Sequence, residues 1–167
     1  FSVGVQADLM NSDINALYIS QSGLTMGDRD YYLDPENENI RTAYKEYLGK
    51  LFRLAGIPEA DIEKAVAGVM NIETKLAEKS WSNTELRDIP AQYNPTAKAE
   101  FEKTYDAIDW PAYYKAMGIG DFDTIIVTTK SSIANANDLM KNAPLEDIRY
   151  YLAAQYLDDA ASYLSDD

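Results

Sequence analysis

Histidine and cysteine are both absent from the 167 residues. Without them the chain lacks the usual soft and borderline ligands for zinc, iron or copper. It also lacks the ordinary base for a serine or cysteine nucleophile. A disulfide framework is excluded, although the compartment is not fixed by that alone. Positive charge is scarce: 15 Lys and Arg stand against 28 Asp and Glu, a net charge of −13 and a pI near 4.3. Nucleic acid needs clusters of cations along its phosphates, so it is not an expected partner. The same sign repels anionic membrane surfaces, and no apolar run approaches the length of a membrane helix. The Asn94-Pro95-Thr96 triplet has the disqualifying proline of a glycosylation acceptor.

Only carboxylate chemistry and calcium are left open. Asp28, Asp30 and Asp34 come closest to a calcium loop, but their spacing is wrong and the glycine is missing. With 28 acidic residues, no pair can be singled out as a glycosidase dyad without distances.

What is present reads as a soluble globular segment, 46% hydrophobic and 26% charged. A chain this long buries about 70% of its unfolded surface. Phe1, Val3 and Val5 alternate with small and polar residues. A second run, Ile14 to Ser20, follows the turn formers Asn11-Ser12-Asp13. That pattern predicts a hairpin. Beginning inside a strand, with no export signal, Phe1 reads as a cut end.

Between Gln21 and Asn37 neither helical nor strand period is found, which makes a long connection. It carries the means to pack itself. Gly23 and Gly27 permit turns that other residues resist. Arg29, between Asp28 and Asp30, offers donors to carboxylates or loop carbonyls. Tyr31 and Tyr32 can fill a seam while their hydroxyls keep partners. Arg29, Asp30 and Tyr31 are therefore structural candidates; a ligand-binding loop is the alternative.

Helical spacing then predicts a helix from about Asn39 to Ala55, stopped by Gly56, and another from Pro58 to about Lys79. Glu73 falls in the middle of the second helix's apolar stripe of Ile62, Ala65, Val66, Val69, Met70 and Leu76. A carboxylate there is costly unless paired, so Glu73 is expected to be buried. Arg87 is the first candidate partner, with tyrosine hydroxyls as the alternative.

Ser82 and Glu85 read as a capping box, with Arg87-Asp88-Ile89-Pro90 ending that turn. A helix is expected from Asn94-Pro95-Thr96 to about Tyr105. Another, capped by Asp109 and closed by Gly118, holds Trp110, Tyr113 and Tyr114. Thr124 to Thr129 is expected to join the hairpin as a third strand. Helices over Ser131 to Asn142 and from Leu145 onward finish the chain. The last presents Leu145, Ile148, Leu152, Tyr156 and Tyr163 on one face, and Ser165-Asp166-Asp167 looks like a truncation within it. Asp158-Asp159 and Asp166-Asp167 read as solvated. The fold class is mainly α, a multi-helix segment spanning 1–167 with a small antiparallel sheet.

Gln21-Ser22-Gly23-Leu24 followed by Asp28-Arg29-Asp30-Tyr31-Tyr32-Leu33 resembles the signature of the neprilysin family of zinc endopeptidases. The likeness continues through Glu73-Thr-Lys-Leu-Ala77, Glu85-Leu-Arg87-Asp88, Tyr93-Asn94 and Asp109-Trp110, and covers essentially the whole chain. Met26-Gly27 stands where that family usually has Leu-Pro. The resemblance implies the non-catalytic helical domain, which caps the catalytic one, encloses the active-site chamber and restricts substrates to peptides. It implies zinc in the parent enzyme, held by a His-Glu-x-x-His helix and a downstream glutamate. None of those residues lies in this chain, so catalytic and metal roles are assigned to no position. The implied partners are the catalytic domain of the same polypeptide and peptide substrates, in an extracytoplasmic setting. A second reading is a Tyr-rich binding module for glycans or proteins, since exposed aromatic rings stack on sugars. Tyr44, Tyr47, Tyr156 and Tyr163 sit at stripe positions, however, and are expected in core or seam. A helical scaffold for partner proteins has only the acidic surface in its favour.

Overall fold

The computed structural model describes residues 1–161 and residue 163. The expectations for Ser165, Asp166 and Asp167 lie outside the described residues. The chain forms two compact units, one of residues 1–22 and 79–141, the other of 23–78 and 142–167. In order the elements are β1 (Ser2–Ala7), β2 (Asn15–Ser20), α1 (Asp30–Leu33), α2 (Glu38–Leu54), α3 (Glu59–Lys79), α4 (Ile89–Gln92), β3 (Pro95–Ala97), α5 (Lys98–Thr104), α6 (Trp110–Ala116), β4 (Thr124–Val127), α7 (Lys130–Asn142) and α8 (Leu145–Ala161). The fold is mainly helical with a small sheet.

The first unit is built on a four-stranded sheet in the order β1-β2-β4-β3. β1 and β2 form the expected hairpin, with Ser2 opposite Ser20 and Ala7 opposite Asn15. β4 does join it, but parallel to β2, with Leu17 beside Ile125, and antiparallel to β3. The sheet is therefore mixed, not purely antiparallel. Ile125, Ile126 and Val127 are all buried. A central strand covered on both faces shows such a continuous apolar run, but the run does not encode strand direction. β3 was not expected. Pro95 interrupts what reads as a helix start, and Pro95–Ala97 instead pairs at the sheet edge, where a missing N–H is tolerated. Helix α5 begins only at Lys98.

Leu17, Ile19, Ile125 and Val127 meet Phe101, Tyr105, Trp110 and Ile133 in this unit's core. The Trp110 ring lies 4.8 Å from Phe101, edge to face. Ser82 and Glu85 form the capping box: the Ser82 N–H donates to Glu85 Oε2 at 2.7 Å and the Glu85 N–H to Ser82 Oγ at 3.3 Å. That turn ends at Arg87 as expected, and Asp88 then caps a further one, α4, accepting from the Ala91 N–H at 3.1 Å. Asp109 likewise accepts from the Ala112 N–H at 3.0 Å at the start of α6. Asp109→Ala is expected to lower stability by about 1 kcal/mol, read as a shift in the denaturant midpoint, with Asp109→Asn losing much less.

The second unit is helical. α2 and α3 start and stop within a residue of expectation, and Gly56 takes a φ of 78° between them. Tyr44, Leu48, Phe52, Ile62, Ala65, Val69 and Ala154 form its core. At Gly68 an added Cβ would stand 3.2 Å from the Cα of Asp147, so glycine lets α8 approach α3 closely. α8 is turned differently from the expected stripe. Tyr150, Ala153, Ala154 and Leu157 face the core. Leu145, Leu152 and Tyr156 are 63%, 52% and 74% exposed, and Tyr163 is also exposed. Apolar residues occupy both sides of this helix, so its periodicity has two solutions; the side with small Ala153 and Ala154 packs inward. Of the four tyrosines expected in core or seam, Tyr44 is buried and Tyr47 lies in a seam, 39% exposed, its ring stacked on Tyr44 and its hydroxyl donating to Asp158 of α8.

Candidate functional site

Three apolar ridges bring one polar position together in the second unit. Glu73 is on the buried side of α3, Tyr44 on that of α2, and Gln155 on α8. The loop from Gly23 to Asp30 and the short α1 supply the rest. Glu73 is fully buried, as its place in the stripe predicts. No cation is among its hydrogen-bond partners. Its Oε1 accepts from the Thr25 hydroxyl at 2.8 Å, the Gln155 amide at 3.0 Å and the Tyr44 hydroxyl at 3.1 Å. Its Oε2 accepts from the Tyr32 hydroxyl at 2.8 Å. Arg87, the first candidate, is exposed on the turn Glu85–Arg87 of the other unit. Four neutral side-chain donors, with the Thr25 backbone N–H beside them, satisfy the carboxylate without burying a second charge. Of the two alternatives, the tyrosine hydroxyls are the ones found.

The cage also fixes the loop. The Met26 N–H donates to the Tyr32 hydroxyl at 3.0 Å, so that hydroxyl bridges loop backbone and carboxylate. Gln155 donates a second bond, 2.6 Å, to the Thr25 hydroxyl. The Tyr151 hydroxyl donates to the Gly23 carbonyl at 3.1 Å. Gly23 has a φ of 94°, and an added Cβ would stand 2.2 Å from that hydroxyl oxygen. Burial pushes the Glu73 carboxyl above the ordinary 4.5, while the bonds from Thr25, Tyr32 and Tyr44 pull the other way. Tyr32, Tyr44 and Tyr151 are raised as well, by burial first and then by the charge of Glu73. Their hydroxyls stay protonated and serve as fixed donors.

The other sequence candidates lie at the rim. Arg29 Nε is 3.9 Å from the Asp30 carboxylate, and Tyr31 is partly exposed. The buried member of the tyrosine doublet is Tyr32. Arg41 caps loop carbonyls as well: its Nη1 donates to the carbonyls of Tyr31 at 3.0 Å and Asp34 at 2.7 Å. The aspartates considered for calcium cap local backbone instead. Asp28 Oδ1 accepts from the Asp30 N–H at 3.0 Å, and Asp34 Oδ1 from the Glu36 N–H at 2.9 Å. Thr25, Tyr44 and Gln155 were not singled out as partners. Tyr44 carried a signal, being a stripe residue of α2 with a polar tip at a position that must pack against α3. Gln155 carries none, because the polar residues of α8 are spread around the helix and mark no single face.

This arrangement ties the loop to α1, α2, α3 and α8 through one carboxylate. Among the described residues, no group of three or more His, Cys, Asp or Glu is placed to hold a metal ion. No helix of the described residues is long and apolar enough to cross a membrane.

Residues 1–167 match the profile of Peptidase family M13 along their whole length. The chain belongs to peptidase family M13. Among curated relatives it is 29% identical to endothelin-converting enzyme 1 of Mus musculus over 170 residues, covering 98% of this chain and 22% of that protein. It is 25% identical to the neutral endopeptidase of Lactobacillus helveticus over 167 residues, covering 100% and 26%. The chain thus spans about a quarter of the length of these M13 relatives. In fold it is similar to the zinc metalloprotease ZMP1 of Mycobacterium tuberculosis, with a TM-score of 0.86 at 23% identity, covering 98% of this chain and 26% of that one. PepO of Lactobacillus rhamnosis gives a TM-score of 0.81 at 19% identity, covering 99% and 27%. A zinc site does not fit the residues of this M13 segment, which has neither His nor Cys.

Proposed function

We propose that this segment is part of the non-catalytic lid of an M13 zinc metalloendopeptidase, a wall of the chamber that admits peptides and excludes larger chains. Membership of the family along all 167 residues, in a stretch with no zinc ligands, is the observation that carries this reading. Zinc, the general base and the transition-state contacts then belong to the rest of the polypeptide, and the segment's own partner is the catalytic domain. The setting is extracytoplasmic on this reading, as the resemblance to the neprilysin family implies.

A chamber wall needs rigidity more than chemistry. The long helices α2 and α3 and a loop tied to Glu73 by Thr25, Met26 and Tyr32 supply it. The excess of 28 acidic over 15 basic residues keeps the outer face hydrated and favours basic peptides at the entrance. That preference weakens as added salt shortens the screening length from about 10 Å at 0.1 M.

The test of the non-catalytic assignment is a calorimetric titration of the 167-residue chain with zinc, alongside a peptide-cleavage assay. No stoichiometric binding below about micromolar is expected, and no hydrolysis, whereas the full-length polypeptide does both. Tight one-to-one zinc binding by the segment would sink the reading.

A further inference from the structure

The sheet of the first unit has two edges that differ in kind. At one edge β3 is three residues long and starts at Pro95, which has no N–H to offer. At the other, β1 is six residues long, holds neither proline nor charge, and pairs with β2 alone. The Asp8 N–H donates to the Ile14 carbonyl at 3.0 Å, and the Ile19 carbonyl accepts from the Thr128 N–H at 2.9 Å. Antiparallel alternation therefore turns the backbone of Ser2, Gly4 and Gln6 toward β2. It points the N–H and C=O groups of Val3, Val5 and Ala7 outward. Proteins ordinarily blunt such an edge with a charge, a proline or a bulge, because it is a template for another strand.

The turn of this hairpin is apolar and held in shape. Val5 and Met10 are 61% and 76% exposed, and Leu9 and Ile14 are exposed as well. Asp8 Oδ1 accepts from the Met10 N–H at 2.7 Å and the Asn11 N–H at 3.1 Å. The Tyr93 hydroxyl donates to the same carboxylate at 3.0 Å, and the Leu9 N–H donates to the Tyr18 hydroxyl at 3.1 Å. Such preorganisation lowers the entropy lost when a partner binds. Met10 adds a flexible, polarizable side chain of the kind that adapts to varied partners.

We propose that the open edge of β1 is a docking site for an extended peptide, alternately apolar and basic, which adds to the four-stranded sheet as a fifth strand. The backbone groups of Val3, Val5 and Ala7 bond its main chain, while exposed Val5 packs against an apolar side chain opposite. Charge selects the basic ligand. Residues 1–22 hold two aspartates and no Lys or Arg, within a chain of net charge −13. The same charge disfavours a second copy of the chain as the added strand. The inference rests on the proposed function in one respect, that the parent polypeptide meets peptides. The size limit on those peptides plays no part in it.

The experiment is hydrogen exchange in the full-length polypeptide, read residue by residue by mass spectrometry. The probe is an alternating valine–lysine peptide of about ten residues, in millimolar excess so that it stays largely intact over the labelling time. Exchange at Val3, Val5 and Ala7 is expected to slow about tenfold, with little change at Gly4 and Gln6, which β2 already protects. The same peptide N-methylated at every residue keeps its charge but loses its donors, and is expected to protect nothing. Val5→Pro removes one outward N–H and leaves the bonds to β2 in place. It is expected to weaken the peptide's Kd about tenfold while the melting temperature moves by less than about 2 °C. Unchanged exchange at saturating peptide overturns the proposal, as does equal protection by the N-methylated peptide, which would leave charge alone as the cause. Slow exchange before any peptide is added overturns it too, whether another part of the polypeptide or, where it grows with protein concentration, a second copy covers the edge. A kcat/KM that is flat against substrate length would end the size limit and leave all of these outcomes unchanged.

Discussion

Glu73→Ala is expected to lower the unfolding free energy by about 3–5 kcal/mol, the largest single effect of any polar substitution in this segment. The substitution empties a fully buried position and orphans four donors at once, on Thr25, Tyr32, Tyr44 and Gln155. Glu73→Gln keeps the shape and an acceptor, so its loss at neutral pH is smaller. The two variants together separate charge from volume. The sign of the pH effect follows from the raised carboxyl. A group whose folded pKa lies above its unfolded value holds a proton that the unfolded chain has already released. Its stabilisation is complete below the unfolded value of 4.5 and is lost as pH rises through the higher folded value. In that window the wild-type chain loses stability relative to Glu73→Gln, by at most about 1.4 kcal/mol per pH unit. The difference between the two proteins is the useful quantity. Glu38, Glu59, Asp106 and Glu146, each held low chiefly by a hydrogen bond from a neighbouring cation, give both proteins the same opposite slope at acid pH. Urea titrations from pH 4 to 8 measure it, and a flat difference would remove Glu73 from the account.

Gly23→Ala is expected to cost about 2–4 kcal/mol, from two causes that can be separated. One is the φ of 94°, which any side chain resists; the other is the Tyr151 hydroxyl, 2.2 Å from the new Cβ. Gly27 offers the control. Its φ is 87° and nothing lies within 4 Å of an added Cβ, so Gly27→Ala shows the backbone cost alone, about 1 kcal/mol. Tyr151→Phe removes the clashing oxygen. In the Gly23→Ala background it should restore part of the loss, although alone it is destabilising because it gives up the bond to the Gly23 carbonyl. Additive losses in the double variant would mean that the loop and α8 do not meet in solution as they do here.

Much of this was legible in the residues, for physical reasons that differ from element to element. α2 and α3 are amphipathic with clear stops, so their bounds and the burial of Glu73 followed from period alone. The identity of the cage did not, because Thr25 and Tyr32 come from a segment without period and Gln155 from a helix without a polar face. Of the two partners expected for Glu73, the tyrosine hydroxyls hold it and Arg87 does not, because neutral donors satisfy a buried carboxylate without burying a second charge. Pro95 has the sequence pattern of a helix start but marks an edge strand, because pairing with β4, a neighbour some thirty positions along the chain, decides it. The parallel placement of β4 beside β2 is likewise long-range. The α8 error has the most consequence, since the face expected in the core is the one left open.

On the proposed function, this segment limits what reaches a catalytic site it does not contain. The most direct measurement uses the full-length polypeptide and one cleavage sequence, presented in a short peptide and in unfolded chains of increasing length. The ratio kcat/KM is followed against chain length at fixed salt. Efficient cleavage of the short peptide is expected, with a fall of more than about tenfold once the chain outgrows the chamber. Equal kcat/KM for the short peptide and the long unfolded chain would contradict it.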